Sequence, residues 1–187
     1  DEEEMHILHQ QELAELESAP ALPQHDRFGG WSDGPQLEAT GWFRTEKHNG
    51  RWWLVTPEGR LFLSWGGNCI YPGGATFITG REKWFEWIPE KDGPFGEFLG
   101  RSGSFIMADP IGGEGETLRF YALNQKRKHG EDWQPAFRSL ALKRIRAWGF
   151  NTVANWSRRE VLEESTLPFT VTAGTLGGRM LEASAGY

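Results

Sequence analysis

The sequence contains a single cysteine, Cys69, among its 187 residues. One cysteine excludes a disulfide within the chain and any metal site built from a cluster of cysteines. Because unpaired cysteine is among the most frequently buried residue types, we predict that Cys69 acts as a small buried hydrophobe.

The sequence also lacks a long apolar segment and a strongly basic region. No apolar run approaches the ~20 residues that cross a bilayer, and the opening DEEE is not the start of a signal peptide. The formal net charge is −6 and the sequence pI is about 5.4, with basic residues scattered except at 126–128 and 158–159. Nucleic acid and membrane are therefore not predicted partners, and the removal of a leader before Asp1 stays open.

Aromatic residues are abundant, with 10 Trp, 12 Phe and 3 Tyr. Several stand beside glycines and polar residues instead of in apolar runs, which leaves two interpretations. Flat indole rings stack on the C–H faces of sugars through dispersion and ring electrostatics, so the aromatics are typical of a carbohydrate site. Alternatively, all of them fill a tryptophan-rich core.

The first predicted region, 1–40, consists of a helix and a connector. The helix begins with an acidic turn, which suits the positive end of its dipole, and it should end by Pro20. The apolar residues near one of its faces are Met5, Leu8, Leu13 and Leu16. The rest of the region is rich in Pro, Gly, Asp and Ser, which predicts an irregular connector.

The second predicted region, 41–187, begins with the clearest β pattern. Asn49-Gly50 is the strongest short signal for a β-hairpin, because both central residues of its turn need positive φ. Pro57 and Gly59 mark a second turn. The sequence therefore predicts a short antiparallel meander, with strands near 42–47, 51–56 and 60–65.

Residues 68–116 hold many Gly and Pro and show no lasting periodicity. Within them, only 81–90 is predicted as a short helix. A loop of this length inside a compact domain is either functional or disordered, and its aromatic residues favour an ordered loop.

Two helices are predicted after this loop. The first spans about 116–129 and carries acidic residues at its start. The second has Asp132 as its N-cap, an apolar stripe from 133 to 148 and Gly149 as its end. Its polar face is expected to be only solvated; that face comprises Arg138, Lys143, Arg144 and Arg146.

Two further strands are predicted at 151–156 and 167–172, with a short helical link at 159–164 between them. Strand, helix, strand, link and strand is the order of parallel βαβ units, so the predicted fold class is α/β. Parallel strands of this kind bring their carboxyl ends to one edge, where the loops converge.

Polar and aromatic residues stand at the predicted strand ends. Asn68 follows the third meander strand, Asn155 and Trp156 end the next strand, and Thr170 and Thr172 lie on the last. Such residues fit a ligand that needs hydrogen bonds at its edges and stacking on its faces, and we expect the two asparagines to open to one cleft. The alternative is that the asparagines only cap loops.

The carboxylates do not identify a catalytic pair. Glycoside hydrolysis needs two carboxylates about 5–5.5 Å apart in a retaining enzyme, or further apart in an inverting one. Glu82, Glu86 and Glu90 lie in or beside the loop helix and not at a strand end, so we interpret them as a solvated face. The five histidines are scattered and no nucleotide-binding or zinc-protease motif occurs, so no metal and no cofactor are predicted.

Three separated segments together resemble a known family: NGRWWLVTPEGRLFLSWGGNCI at 49–70, TGREKWFEWIPE at 79–90 and LKRIRAWGFNTVANWS at 142–157. In this order they are similar to the amino-terminal part of the β-agarase-like glycoside hydrolases of family 50 and their relatives, over about 42–172. The resemblance implies the amino-terminal portion of a (β/α)8 barrel after the short antiparallel meander. It also implies a retaining mechanism, with one Glu as acid/base and another as nucleophile.

The same resemblance implies a partial enzyme. A whole barrel takes roughly 250 residues, and this chain reaches only about three of the strands, so the catalytic carboxylates should lie beyond it. The implied partners are a galactan-type polysaccharide or oligosaccharide such as agarose and the remainder of the barrel, in an extracellular or periplasmic location. The sugar-facing wall that the resemblance implies comprises Asn68, Arg81, Glu82, Asn155 and Trp156. The alternative function is a non-catalytic carbohydrate-binding domain.

Overall fold

The structure, a computed structural model, describes residues 2–19, 23–103 and 112–172. These residues contain four α-helices and eight short strands. The helices are α1 (Glu2–Ser18), α2 (Phe120–His129), α3 (Trp133–Ala147) and α4 (Arg159–Glu164). Helices α1, α3 and α4 occupy the predicted positions, and the chain combines them with one parallel and two antiparallel sheets.

The first sheet is the predicted antiparallel meander. Its strands β1 (Arg44–His48), β2 (Arg51–Val55) and β3 (Leu61–Phe62) pair in the order β1-β2-β3. Asn49 and Gly50 have φ of 49° and 80°, as the two-residue turn requires, so the hairpin prediction is confirmed. Strand β3 is shorter than predicted, because the chain leaves the meander after Phe62 to join a different sheet.

That sheet is parallel. Strand β4 (Gly66–Gly67) pairs with β8 (Thr152–Val153), and Val153 also forms a parallel bridge with Phe169. The three segments thus lie side by side in their order along the chain. Parallel pairing occurs where the sequence predicts it, but over much shorter lengths than 151–156 and 167–172.

A second antiparallel sheet lies where the sequence predicts only an irregular loop. Its strands β5 (Thr76–Phe77), β6 (Leu99–Gly103) and β7 (Glu114–Leu118) pair in the order β5-β7-β6. The predicted start of a helix at 116 is therefore wrong, and α2 begins at Phe120.

The alternation of burial along β7 explains this error. Gly115 and Thr117 are buried while Glu114 and Glu116 are exposed, which is the period of a strand and not of a helix. Arg101 of β6 forms an ion pair with Glu114 at 2.7 Å across the sheet. The acidic residues that resemble a helix start are therefore the solvent-facing residues of a strand.

Two hydrophobic clusters hold the sheets against the helices. The first joins the second antiparallel sheet to α2 and α3 and comprises Ile78, Phe98, Leu118, Ala122, Leu123 and Trp133. The second packs β8 against α3 and α4 and comprises Ile145, Val153, Val161 and Leu167. Burial of one such large side chain contributes about 1.5–3 kcal/mol, so these clusters fix the short parallel strands relative to α3 and α4.

Two predicted burials are wrong. Cys69 is exposed, because it lies in the turn after β4 with a φ of 56° and donates its backbone N–H to Asn155 O at 2.8 Å. Trp148, at the end of the apolar stripe, is 66% exposed. Helix α3 ends at Ala147, and Gly149 reverses the chain with a φ of 83°, so the last indole of the stripe lies outside the core.

Helix α1 docks on α2 and α3 through charged side chains. Glu12 accepts two hydrogen bonds from the Arg144 guanidinium, at 2.5 and 2.8 Å, and lies 3.7 Å from Lys128 Nζ. His9 is buried and meets His129 edge to face, with ring centroids 4.8 Å apart. The expectation that the polar face of α3 is only solvated is therefore wrong, since its arginine holds the amino-terminal helix.

Acidification is expected to weaken this docking. Burial and neighbouring positive charge hold the pKa of His129 down at about 4, and burial also lowers the pKa of His9. The neutral imidazoles thus contribute stability fully above about pH 6.5, and that stability falls as the pH drops toward 4, because the unfolded chain binds the protons first. The hydrogen bond from Arg144 lowers the pKa of Glu12, whose contribution is lost at still lower pH.

Amide hydrogen exchange of α1 and the free energy of unfolding, measured as a function of pH, test this expectation. Because solvent screens the half-buried ring of His129, we expect the free energy of unfolding to fall by only about 1–2 kcal/mol between neutral pH and pH 4. His129→Phe should flatten the profile, whereas His25→Phe, in the exposed connector, should leave it unchanged. Equal pH profiles for the wild type and His129→Phe would contradict the assignment.

Candidate functional site

Hydrogen bonds join the segments that follow β4 and β8. Cys69 N donates to Asn155 O at 2.8 Å, and Ile70 N donates to the Ser157 hydroxyl at 3.2 Å. The Ser157 hydroxyl in turn donates to a backbone carbonyl of its own turn, Ala154 O, at 2.8 Å. The two segments therefore lie side by side at the carboxyl ends of the parallel strands.

Four residues follow the parallel strands at these ends, and we call them the strand-end group: Asn68, Asn155, Trp156 and Thr172. Asn68 is exposed directly after β4, and Asn155 is half-buried two residues after β8. The Thr172 hydroxyl donates to Asn155 Oδ1 and so links the segment after the third parallel strand to the group. The group combines amide, hydroxyl and indole chemistry at one edge of the sheet.

Trp156 adopts an unusual backbone conformation. Its φ is 60°, in the left-handed region that bulky residues rarely occupy, and its side chain is 66% exposed. Such a conformation costs on the order of 1–3 kcal/mol and persists only where the surroundings enforce it. Here the hydrogen bonds of Asn155 and Ser157 on either side hold the turn, so the exposed indole sits on a fixed backbone.

Arg81 and Glu82 lie apart from this group, on a separate turn. The predicted helix at 81–90 is reduced to a 3-10 turn, Glu82–Trp84. The Arg81 guanidinium lies 5.6 Å from the centre of the Trp84 ring, and Glu82 Oε1 accepts a hydrogen bond from Gly80 N at 2.9 Å. Backbone N–H groups of Glu82 itself and of Gly80 lower the pKa of the Glu82 carboxyl, which is therefore ionised at neutral pH. Contact of these two residues with a sugar stays a prediction.

The tryptophans show that the aromatics are not all core. Six indoles are between 62% and 79% exposed: Trp42, Trp52, Trp65, Trp84, Trp148 and Trp156. The interpretation that every aromatic fills the core is therefore wrong. A separate hollow of about 330 Å³ lies at the amino ends of the parallel strands, and its lining includes Trp31, Trp53 and Trp65.

Asn151 is a positioning residue that sequence reasoning missed. Its side chain accepts hydrogen bonds from Trp65 N at 2.8 Å and the Thr152 hydroxyl at 3.0 Å, and it donates to Gly29 O at 3.0 Å and Leu63 O at 2.9 Å. The residue is 4% exposed, so its amide fastens the connector and β4 to β8 from inside. A polar residue directly before a buried strand was the only signal for this role.

Two kinds of feature were not found among the described residues: a metal-ligand cluster and a membrane-spanning helix. Within the described part of the chain, no three or more His, Cys, Asp or Glu side chains are arranged to hold a metal ion. Among the described helices, none combines the length and the apolar character that a bilayer span requires. What the described residues do offer is hydrogen-bonding and stacking groups at the strand ends.

Solved structures with the same fold define a class. The chain matches an agarase, AgWH50C, with a TM-score of 0.78 and 31% identity, covering 90% of this chain and 26% of that one. It matches PfGH50B with a TM-score of 0.79 and 32% identity, covering 90% and 27%. It matches an exo-beta-agarase with a TM-score of 0.77 and 28% identity, covering 90% and 28%. The fold is that of one part of the agarases.

Two curated relatives agree with this class. Beta-agarase B of Vibrio sp. (strain JT0107) is 31% identical over an alignment of 178 residues, and the match covers 84% of this chain and 18% of that protein. Beta-agarase A of the same organism is 25% identical over an alignment of 141 residues, and the match covers 70% of this chain and 13% of that protein. No family model matches the chain.

These findings confirm the resemblance to the β-agarase-like glycoside hydrolases. The chain is similar to agarases over about nine-tenths of its length. It spans less than a fifth of the curated relatives and about a quarter of the solved chains.

Proposed function

We propose that this chain is part of a glycoside hydrolase that acts on a galactan-type polysaccharide such as agarose. The observation that carries the proposal is the match to solved agarases over 90% of the chain at 31–32% identity. An exposed indole and two asparagines at the ends of neighbouring parallel strands supply suitable chemistry for a sugar. A polymeric substrate of this kind places the protein outside the cytoplasm, in an extracellular or periplasmic location.

The proposed architecture is the first part of a (β/α)8 barrel. In support, β4, β8 and the segment at Phe169 lie side by side in chain order, with α3 before β8 and α4 before Phe169. A whole barrel needs roughly 250 residues, so the remainder of the barrel is the proposed partner of this portion.

The proposed mechanism is retaining, with two carboxylates about 5–5.5 Å apart. Among the described residues, no Asp or Glu directly follows β4 or β8, and Glu82, Glu86 and Glu90 are exposed around the 3-10 turn. We therefore assign the catalytic pair to other strands of the whole protein. The 187 residues contribute substrate contacts instead of the bond-breaking groups.

Each proposed substrate contact has a distinct chemistry. The indole of Trp156 stacks on the C–H face of a sugar ring, and the amides of Asn68 and Asn155 exchange hydrogen bonds with hydroxyls. On the separate 3-10 turn, Arg81 donates hydrogen bonds to the sugar and Glu82 accepts them. None of these roles requires a cofactor.

Replacing Trp156 by alanine is expected to weaken retention by agarose about tenfold, which corresponds to the loss of one ring-stacking contact. Affinity electrophoresis of the chain through agarose measures this change. Trp148→Ala is the matched control, because Trp148 has the same 66% exposure but follows α3, before β8 begins. Equal retention of the wild type and Trp156→Ala would contradict the proposed contact.

A non-catalytic carbohydrate-binding domain is the second candidate. The hollow lined by Trp31, Trp53 and Trp65 favours it, because indoles around a concave surface suit a sugar chain without any catalytic group. Retention that is lost in Trp53→Ala but kept in Trp156→Ala would support this candidate over the first. Release of reducing sugar by the whole protein would decide for hydrolysis.

A further inference from the structure

A cleft of about 450 Å³ lies between the first turns of α3 and the start of α4. Its volume is within the range of small-molecule sites. Its lining includes Glu97, Arg119, Trp133, Phe137, Arg138 and Arg158. None of the strand-end group lines this cleft.

The cleft borders the strand-end group. Arg158, on its wall, donates its backbone N–H to Ile70 O at 3.0 Å and follows directly on Ser157, whose hydroxyl binds Ile70 N. Pro72, on another wall, lies two residues beyond Ile70. The cleft therefore opens at the carboxyl end of the parallel strands, beside Asn155 and Trp156.

Three guanidinium groups line the cleft, and two are held in place. Arg119 donates to Glu97 O at 2.9 Å and lies 5.4 Å from the centre of the Phe98 ring. Arg138 donates through Nε to Glu164 at 2.6 Å, which leaves its terminal nitrogens for another partner. Two pre-positioned arginines lower the entropic cost of binding an acceptor.

Arg158 is the third guanidinium. Across the described ranges of the chain, no side-chain hydrogen bond or ion pair engages it. It is exposed at the cleft rim, so all five of its N–H donors remain for a ligand.

Of the two carboxylates of the cleft, Glu97 has an ion pair of its own. Glu97 accepts a hydrogen bond from Lys126 Nζ at 2.7 Å, on the side of α2. Glu160 lies within electrostatic range of Arg159, which itself points to Glu163 at 2.6 Å. With Glu97 paired to Lys126 and Arg138 paired to Glu164, the remaining charges of the cleft are those of Arg119, Arg158 and Glu160. Two are positive and one is negative, so the balance is positive.

We propose that this cleft binds an anionic substituent, a sulfate ester or a carboxylate, on the saccharide that occupies the strand-end group. Planar guanidinium groups bind both anions through paired N–H donors. Trp133 and Phe137, each 6% exposed, form an apolar floor on which a sugar ring can rest. The inference rests on the proposed saccharide-binding function and deepens it, because it selects charged over neutral galactan units.

Isothermal titration of the chain with a sulfated galactan oligosaccharide and with its desulfated counterpart tests the inference. We expect the sulfated form to bind at least about tenfold more tightly, in line with one charge-assisted hydrogen-bonded pair. Arg158→Gln should remove that advantage, and Arg158→Lys should keep part of it, because it retains the charge but not the planar fork. Arg159→Gln is the matched control: it removes the same charge from the next residue, whose side chain is 87% exposed, and should change affinity less than about twofold.

The outcomes separate this inference from the proposed function. Equal affinity for the sulfated and desulfated forms would overturn the anion site while leaving saccharide binding intact. Equal losses in Arg158→Gln and Arg159→Gln would overturn the assignment to the cleft, since they would reflect overall charge. Inorganic sulfate that binds as tightly as the oligosaccharide would show a simple anion site and overturn its link to a saccharide. A larger advantage for a galacturonate oligosaccharide over its neutral form than for the sulfated oligosaccharide over its desulfated form would identify carboxylate, and not sulfate, as the bound substituent.

Discussion

Asn151→Ala should lower the free energy of unfolding by about 3 kcal/mol, because it removes all four hydrogen bonds of a buried side chain, two of them buried and two partly buried. The alanine leaves Gly29 O, Leu63 O and Trp65 N without their partner in a site that is 4% exposed. Leaving such groups unpaired costs more than the hydrogen bonds contributed on balance. Chemical denaturation of the chain measures the loss.

Asn151→Asp separates hydrogen bonding from shape. The aspartate keeps the volume but faces the carbonyl oxygens of Gly29 and Leu63 with a carboxylate that has no proton to donate. We expect it to be at least as destabilising as alanine at neutral pH and to recover part of the loss in acid, where the carboxyl is protonated. Asn155→Ala, which removes a half-buried amide, should cost less than about 1 kcal/mol. Equal losses of unfolding free energy in Asn151→Ala and Asn155→Ala would contradict the positioning role of Asn151.

Gly66→Ala is expected to disrupt the pairing of β4 with β8. A Cβ atom at this position would lie 1.9 Å from the carbonyl oxygen of Thr152, on the neighbouring strand. Backbone atoms cannot yield as the end of a side chain does, so the strands must separate and the parallel bridge must break. We expect a loss of about 3 kcal/mol, at the upper end of the cost of overpacking.

Gly67→Ala is the matched control for this change. The nearest atom to its added Cβ is Ile70 Cδ1 at 3.9 Å, an ordinary van der Waals contact. The two variants differ by one position and carry the same substitution, so intrinsic propensity cancels between them. A similar melting temperature for both variants would show that β4 does not approach β8 as closely as described.

Local sequence signals predicted the elements that depend on local chemistry. The Asn49-Gly50 turn needs only two residues at positive φ, and α3 needs only its apolar stripe and the glycine that follows. Neither depends on a distant part of the chain. Both were therefore predictable from the residues themselves.

The predictions that are wrong concern residues whose structure depends on distant parts of the chain. Strand β7 looked like a helix start because of its acidic residues, but it pairs with β5 and β6, and Arg101 across the sheet satisfies Glu114. Cys69 looked like a core residue, but the backbone bond to Asn155 holds it in an exposed turn. Residue type alone does not contain this information.

The candidate site divides in the same way. The positions of Asn68 and Asn155 after neighbouring parallel strands were predictable, because parallel strands place their ends at one edge. Their contact with a saccharide stays a prediction. The role of Asn151 was not predictable, because the carbonyls that it binds lie 122 and 88 residues away in the sequence. The cleft between α3 and α4 likewise combines residues from the β5-β7-β6 region and both helices, so no single stretch of sequence reveals it.

The exposed Cys69 is a natural attachment site for a spectroscopic probe. It is the only cysteine in the sequence, so a thiol-reactive fluorophore or spin label attaches at a single position without any mutation. The backbone N–H of Cys69 donates a hydrogen bond to the carbonyl oxygen of Asn155, which precedes Trp156. The label would therefore lie at the candidate saccharide site. A ligand that reaches this site should change the signal, and the label could quench or be quenched by the neighbouring indole. Binding can thus be followed in the unmodified sequence, before any catalytic activity is assayed.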